Sequence, residues 1–231
     1  MNAPTDLSHL VAVVFDMDGL MVDTESIYQH AFRQAAASLG YRLSEATLIA
    51  TTGRPLKDGY RLVQADLGPT FPMNTFLERW PGLWNEHVRA HGVPRKPGLI
   101  ELLDLLDAHH IPKAVATSTA YEEAIFTLEK ADIAHRFPLI ISGDQVVNGK
   151  PAPDIFLRAA ERLGVPPNQC LALEDSEAGV LAATTAGMVT IMVPEIAHLA
   201  PEVLQRAYRV FSSLHEVNRL IYKQWLQRED Q

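Results

Sequence analysis

Short, almost wholly apolar runs recur along this chain with helical patterns between them, and that alternation restricts its architecture more than any other feature. The runs are VAVVF at 11–15, KAVAT at 113–117, PLIIS at 138–142, CLALE at 170–174 and VTIMV at 189–193. A strand with one face in water alternates apolar and polar residues; strands this apolar are covered on both faces, as in a parallel sheet. From Pro97 onward the intervening segments are helical in pattern: GLIELLDLLDAHH, YEEAIFTLEKA, PDIFLRAAERLG and SEAGVLAATTAG, the last two stopping at Gly164 and Gly187. Regular alternation implies right-handed βαβ units, hence an α/β fold built on a doubly wound parallel sheet. An edge strand at Tyr208–Phe211 and a closing helix LHEVNRLIYKQWL are expected to complete it.

The exception is the long interval after the first strand. Between Phe15 and Lys113 no convincing strand appears, and SIYQHAFRQAAASLG, SEATLIATTG, PLKDGYRLVQADLG and NTFLERWPGLWNEHVRAHG are helical or loop-like. An insertion of about 70 residues is far too long for a structureless loop. The expected organisation is therefore a core of residues 1–25 and 94–231 with a helical domain at 26–93. The aromatics of FLERWPGLW are read as the core of that helical domain.

A balance of 20 basic against 28 acidic side chains, net charge -8, argues against nonspecific binding to nucleic acid. No run approaches the roughly 18–20 apolar residues of a spanning helix, and the segment before Asp16 lacks the basic start of a signal peptide. A cytoplasmic monomer with no membrane partner is the expectation. Cys170 is the only cysteine, so no internal disulfide forms, and its setting in CLAL suits a buried, inert thiol.

Chemistry enters at VVFDMDGLMVDTE, where the first strand ends in Asp16 and Asp18. Two carboxylates so close repel, and burial raises a pKa or demands a cation. Ligands of open α/β sheets bind outside the carboxyl ends of the strands. KAVAT ends at Thr117, Ser118 and Thr119 follow, CLALE runs into Glu174 and Asp175, and Lys150 lies in GKPAPDIF before a helix. Taken singly, these are a strand-end cap, a solvated lysine and a helix N-cap. A calcium loop is excluded for DMDG, because an EF-hand needs glycine sixth and a flanking helix. His87 and His91 in HVRAH have helical ligand spacing but lack the glutamate of HExxH, so an exposed helix end is expected there.

In combination, DMDGLMVDTE, ATSTA, GKPAPDIF and LEDSEAGV resemble, in order, the four motifs of the haloacid dehalogenase superfamily, in the branch of small-molecule phosphatases and β-phosphoglucomutase. The resemblance implies a Rossmann-like core with a helical cap, and a magnesium-dependent phosphatase acting on a small phosphorylated metabolite. By the same resemblance Asp16 is the nucleophile that forms an aspartyl phosphate, and Asp18 the general acid and then base, with a raised pKa. Thr117, with Ser118, Thr119 and Gly19 beside it, contacts the phosphoryl group, and Lys150 supplies charge. Asp16, the Asp18 carbonyl and Asp175 hold Mg2+, with Glu174 behind them.

The family's mutases carry a histidine where this chain has Tyr28. A phenol with an ordinary pKa near ~10 is a poor proton shuttle, which favours hydrolysis over isomerisation. Arg54 and Lys57 in TTGRPLK stand where such caps contact substrate. The alternatives are a phosphomutase and, in another class, a non-enzymatic receiver-like module, which the long insertion argues against.

Overall fold

The computed structural model describes residues 7–52, 56–194 and 200–226. Strand β1 (Ala12–Phe15) leads into four helices, α1 (Thr24–Ser38), α2 (Glu45–Thr51), α3 (Leu56–Leu67) and α4 (Met73–His91). After them come α5 (Leu99–Ala108), β2 (Lys113–Ala116), α6 (Tyr121–Lys130), β3 (Ile140–Ile141), α7 (Asp154–Leu163), β4 (Cys170–Glu174) and α8 (Glu177–Thr185). The chain closes with β5 (Val189–Met192), α9 (Pro201–Arg206), β6 (Arg209–Val210) and α10 (Leu214–Ile221). The third and sixth strands are shorter than PLIIS and Tyr208–Phe211 suggest. Both lie at the edges of the sheet, where pairing on one side only lets the ends peel away.

The chain divides into two compact units, one of Met1–Val22 with Arg95–Gln231 and the other of Asp23–Pro94. In the first, six parallel strands lie in the order β3-β2-β1-β4-β5-β6. The chain leaves β1 toward β2 and β3, then returns to place β4, β5 and β6 on the other side. The order therefore reverses between β1 and β4, where a doubly wound sheet opens a crevice at its carboxyl end.

The apolar runs are buried on both faces, as their composition requires. On one face Ala12, Val14, Ala114, Ala116, Cys170 and Ala172 meet Ile155, Phe156, Ala159 and Ala160 of α7 and Ala182 and Ala183 of α8. Alanine on both sides of this contact lets the helices approach the sheet closely. On the other face Val13, Phe15, Val115, Leu171 and Leu173 are fully buried, and Phe15 meets Phe137 edge-on at 5.6 Å. Each large apolar side chain removed from water here contributes roughly 1.5–3 kcal/mol.

Among its described residues the second unit holds the helices α1 to α4 and no strand. Phe32, Ala35 and Ala36 of α1, Leu48 of α2, Val63 of α3 and Phe76 and Trp80 of α4 form its core, with Tyr28 and Trp84 packed against it. Asp23 caps α1 by accepting from Ser26 N at 3.1 Å, and Ser44 caps α2 by accepting from Thr47 N at 3.1 Å. The aromatics of FLERWPGLW thus serve this unit's own interior.

Candidate active site at the carboxyl ends of β1, β2 and β4

Register brings the acids together. Phe15 stands beside Val115 on one side and Leu173 on the other, so the next residues, Asp16, Ala116 and Glu174, are level at the strand ends. The Asp16 N–H continues the ladder by donating to Leu173 O at 2.9 Å. Beyond it the backbone turns sharply: Gly19, with φ at 83°, donates to Val22 O at 3.0 Å, a left-handed conformation that a side chain would strain.

Lys150 reaches this row from the loop before α7. Its ammonium donates to Asp16 Oδ1, to Glu174 Oε1 at 2.6 Å and to Ala116 O at 3.0 Å, with the Phe156 ring 5.1 Å away. The side chain is 5% exposed. Burial alone would pull its pKa down, but Asp16 and Glu174 outweigh that and hold it charged above the ordinary lysine value. Glu174, at 0% exposure, spends its other oxygen on Asp175 N (3.1 Å), Ser176 N (3.1 Å) and Ser176 Oγ (3.0 Å). Glu174 is therefore an anchor between the lysine and the start of α8.

Asp18 is held from the β2 side. Its Oδ2 accepts from Thr119 Oγ1 at 2.7 Å and from Thr117 Oγ1 at 3.4 Å, while Thr117 Oγ1 accepts from Thr119 N at 3.1 Å. Ser118, between them, is exposed. Asp16, Glu174 and Asp175 each offer an oxygen within 4.8 Å of the others, the one such group of metal-capable side chains among the described residues. Glu174 carries four of the hydrogen bonds that brace the site, and Asp16 and Asp175 are the candidate cation ligands beside it. An all-oxygen set suits a hard divalent ion.

The local charge would favour a cation here. Asp16 and Glu174 share the Lys150 ammonium, Asp175 lies in the same acidic group, and Asp18 is close enough to act on Asp16. Burial pushes the Asp16 carboxyl up to about 8; Lys150 opposes the rise, and Glu174 and Asp18 add to it. A buried carboxylate in this state favours a proton or a dication.

Of the residues singled out from sequence, Asp16, Asp18, Gly19, Thr117, Ser118, Thr119, Lys150, Glu174 and Asp175 all belong to the sheet-bearing unit. Tyr28 belongs to the helical unit, stacked on Trp84 and tilted against Trp80 with ring centroids 5.7 and 5.6 Å away. Lys57 is exposed in the first turn of α3, and Arg54 lies outside the described residues. Cys170 is buried and unpaired by any disulfide, and burial pushes its thiol up to about 11, away from thiolate chemistry.

Sequence reasoning missed Ser176 and Gly179. Ser176, not Glu174 or Asp175, caps α8, accepting from Gly179 N at 3.0 Å. A serine directly before EAGVLAATT was a readable cap signal. Gly179 was legible only in three dimensions: a β-carbon there would overlap the Glu174 carboxyl group.

Comparison with known proteins agrees with this geometry. The family model for haloacid dehalogenase-like hydrolases matches residues 13–193. A phosphorylated carbohydrates phosphatase of Thermotoga maritima is 36% identical over 182 residues, covering 78% of this chain and 83% of that protein. The fructose-1-phosphate phosphatase YqaB of Escherichia coli is 32% identical over 187 residues, covering 78% and 95%. Among solved structures, a Thermotoga maritima protein provisionally named a β-phosphoglucomutase superposes with a TM-score of 0.81 at 31% identity, covering 93% of this chain and 99% of that one. With the motif residues gathered at the crevice and the match running from β1 past β5, the chain belongs to the haloacid dehalogenase-like hydrolase family.

Proposed function

We propose that this protein is a magnesium-dependent phosphatase that hydrolyses a small phosphorylated metabolite, a sugar phosphate or similar monoester, through an aspartyl-phosphate intermediate. The observation that carries the reading is the pairing of Asp16 with the buried Lys150 ammonium at the switch point of the sheet. The lysine keeps one Asp16 oxygen engaged while the carboxylate acts as nucleophile.

In the first step an Asp16 oxygen bonds to phosphorus, and the bond from phosphorus to the alcohol oxygen breaks. Asp18, as the acid, protonates that departing oxygen. In the second step Asp18, now a carboxylate, takes a proton from water as the water oxygen bonds to phosphorus. The acyl phosphate bond then breaks, releasing inorganic phosphate and restoring both aspartates. The hydroxyls of Thr119 and Thr117 orient Asp18 for both proton transfers. Lys150, the Thr117 hydroxyl and the Ser118 N–H stabilise charge on the phosphoryl oxygens, where positioning and electrostatics account for most of the catalysis. Asp16, Asp175 and the Asp18 carbonyl would hold the magnesium ion, which would supply charge neutralisation at the phosphoryl group.

The helical unit is proposed to select the substrate, with Tyr28, Arg54 and Lys57 as the positions whose exchange alters preference. Resemblance to a protein provisionally named a mutase supports isomerisation as the second reading. Tyr28, packed on Trp80 and Trp84, favours hydrolysis because it offers no imidazole for proton relay. The test is phosphate release from a panel of phosphorylated metabolites, with β-glucose 1-phosphate included. Free phosphate is expected in magnesium and none after chelation. Conversion of the glucose ester mainly to its 6-phosphate isomer would replace the hydrolase reading, and full activity of Asp16→Asn would end it.

A further inference from the structure

We infer that the carboxyl-terminal turn of α4 carries a second metal site, a two-histidine chelate for borderline divalent transition ions such as Zn2+, formed by His87 and His91. It is independent of the phosphatase reading. The two residues stand four apart on a helix that continues to His91, so both imidazoles project from one face. Their ring centroids are 4.5 Å apart. With metal–nitrogen bonds of about 2.0–2.1 Å, two imidazoles sharing one ion have centroids roughly 4.5–5.2 Å apart for bond angles between about 90° and 109°. The pair already sits at the near end of that range.

The second ring is prepared by its own backbone. His91 Nδ1 lies 3.1 Å from His87 O, and a carbonyl only accepts, so this nitrogen carries the proton. Its Nε2 is thereby left with the lone pair a metal takes, an arrangement in which the outer hydrogen bond sets tautomer and ring orientation. His87 is half-buried beside it. His30 of α1 packs on the other side of His87, with centroids 4.6 Å apart.

The three histidines do not bring one nitrogen each within 4.8 Å of one another, so His30 supports His87 and is not a third ligand. Water completes the shell. The residue after His87 is Val88, where HExxH enzymes place their glutamate base, so this is a site of binding and not of hydrolysis. Donor chemistry separates it from the acid cluster: nitrogen ligands select zinc, nickel or copper, and the oxygen set at Asp16 and Asp175 suits magnesium.

The experiment is calorimetric titration of the untagged full chain with ZnCl2 in excess MgCl2. One zinc ion per chain is expected, with affinity falling at least about tenfold in His87→Gln and in His91→Gln, and within about threefold of wild type in His30→Gln. Metal-free thermal unfolding followed by circular dichroism should be closely alike in all three variants, which reports that they fold. No uptake by wild type, undiminished affinity in the double variant H87Q/H91Q, or loss in H30Q equal to that in H91Q would each overturn the assignment.

Discussion

Replacing Gly179 with alanine tests how tightly the site is supported from behind. The added methyl would sit inside contact distance of the Glu174 carboxyl carbon and both its oxygens, whereas ordinary contact is 3.4–4 Å. To escape, the carboxyl group must retreat by about 1.5 Å, the length of one carbon–carbon bond. It has nowhere easy to go. Glu174 is fully buried, and its oxygens hold Lys150 at 2.6 Å and three donors around the start of α8. The retreat stretches the Lys150 bond beyond hydrogen-bonding range and frees the ammonium to shift off Asp16.

Weakening a buried ion pair from one side costs about 3–5 kcal/mol at the limit of full removal, and misplacing a catalytic group by about 1 Å costs roughly 10²-fold in rate. Gly179→Ala should therefore lower kcat for p-nitrophenyl phosphate about 10²-fold, with a smaller change in KM. Glu174→Asp shortens the same side chain by one methylene and should relieve the overlap. The double variant G179A/E174D is accordingly expected to be at least about tenfold more active than G179A, although E174D alone, with Gly179 in place, loses activity. A Gly179→Ala enzyme within threefold of wild-type kcat would refute the reasoning, and so would strictly additive losses in the double variant.

Asp16→Asn should abolish turnover yet raise the thermal midpoint of the metal-free protein at neutral pH. Burial lifts this carboxyl from 3.8 to about 8, so its stabilising contribution is complete below the lower value and is lost as pH rises through the upper one. The asparagine variant escapes that loss, so its advantage should grow from pH 5 to pH 8 in scanning calorimetry; an advantage that shrinks over this range contradicts the assignment. Magnesium should raise the wild-type midpoint and leave that of D16N nearly unmoved. Thr119→Val removes the 2.7 Å donor to Asp18 and should lower kcat about tenfold with KM little changed; an effect confined to KM would make Thr119 a substrate contact instead. Ser176→Ala removes the cap of α8 and one of the Glu174 donors, and should cost about 1–2 kcal/mol in chemical denaturation.

Much of the architecture could be read along the chain because its signals are local. Runs such as VAVVF and CLALE announce strands covered on both faces, and the glycines after α7 and α8 announce where those helices stop. The edge strands are less legible, because their extent depends on a neighbour present on one side only. At the site, residue types in motif order named Asp16, Asp18, Thr117, Lys150, Glu174 and Asp175, but not what each one touches. Motif order makes Thr119 a candidate phosphoryl contact, and the fold adds that its hydroxyl donates to Asp18.

Sequence alone determined that this chain builds a parallel α/β sheet with a helical insertion, because periodicity and composition act over a few residues at a time. Tertiary structure decided which groups share a proton or a charge: that Lys150 bridges two carboxylates from opposite sides of the switch point, and that position 179 has room only for hydrogen. The first depends on strand register, which brings Lys150 to Asp16, 134 residues away, and to Glu174, 24 away; the second depends on how closely the start of α8 folds back on the end of β4, a three-dimensional approach that residue type alone does not reveal.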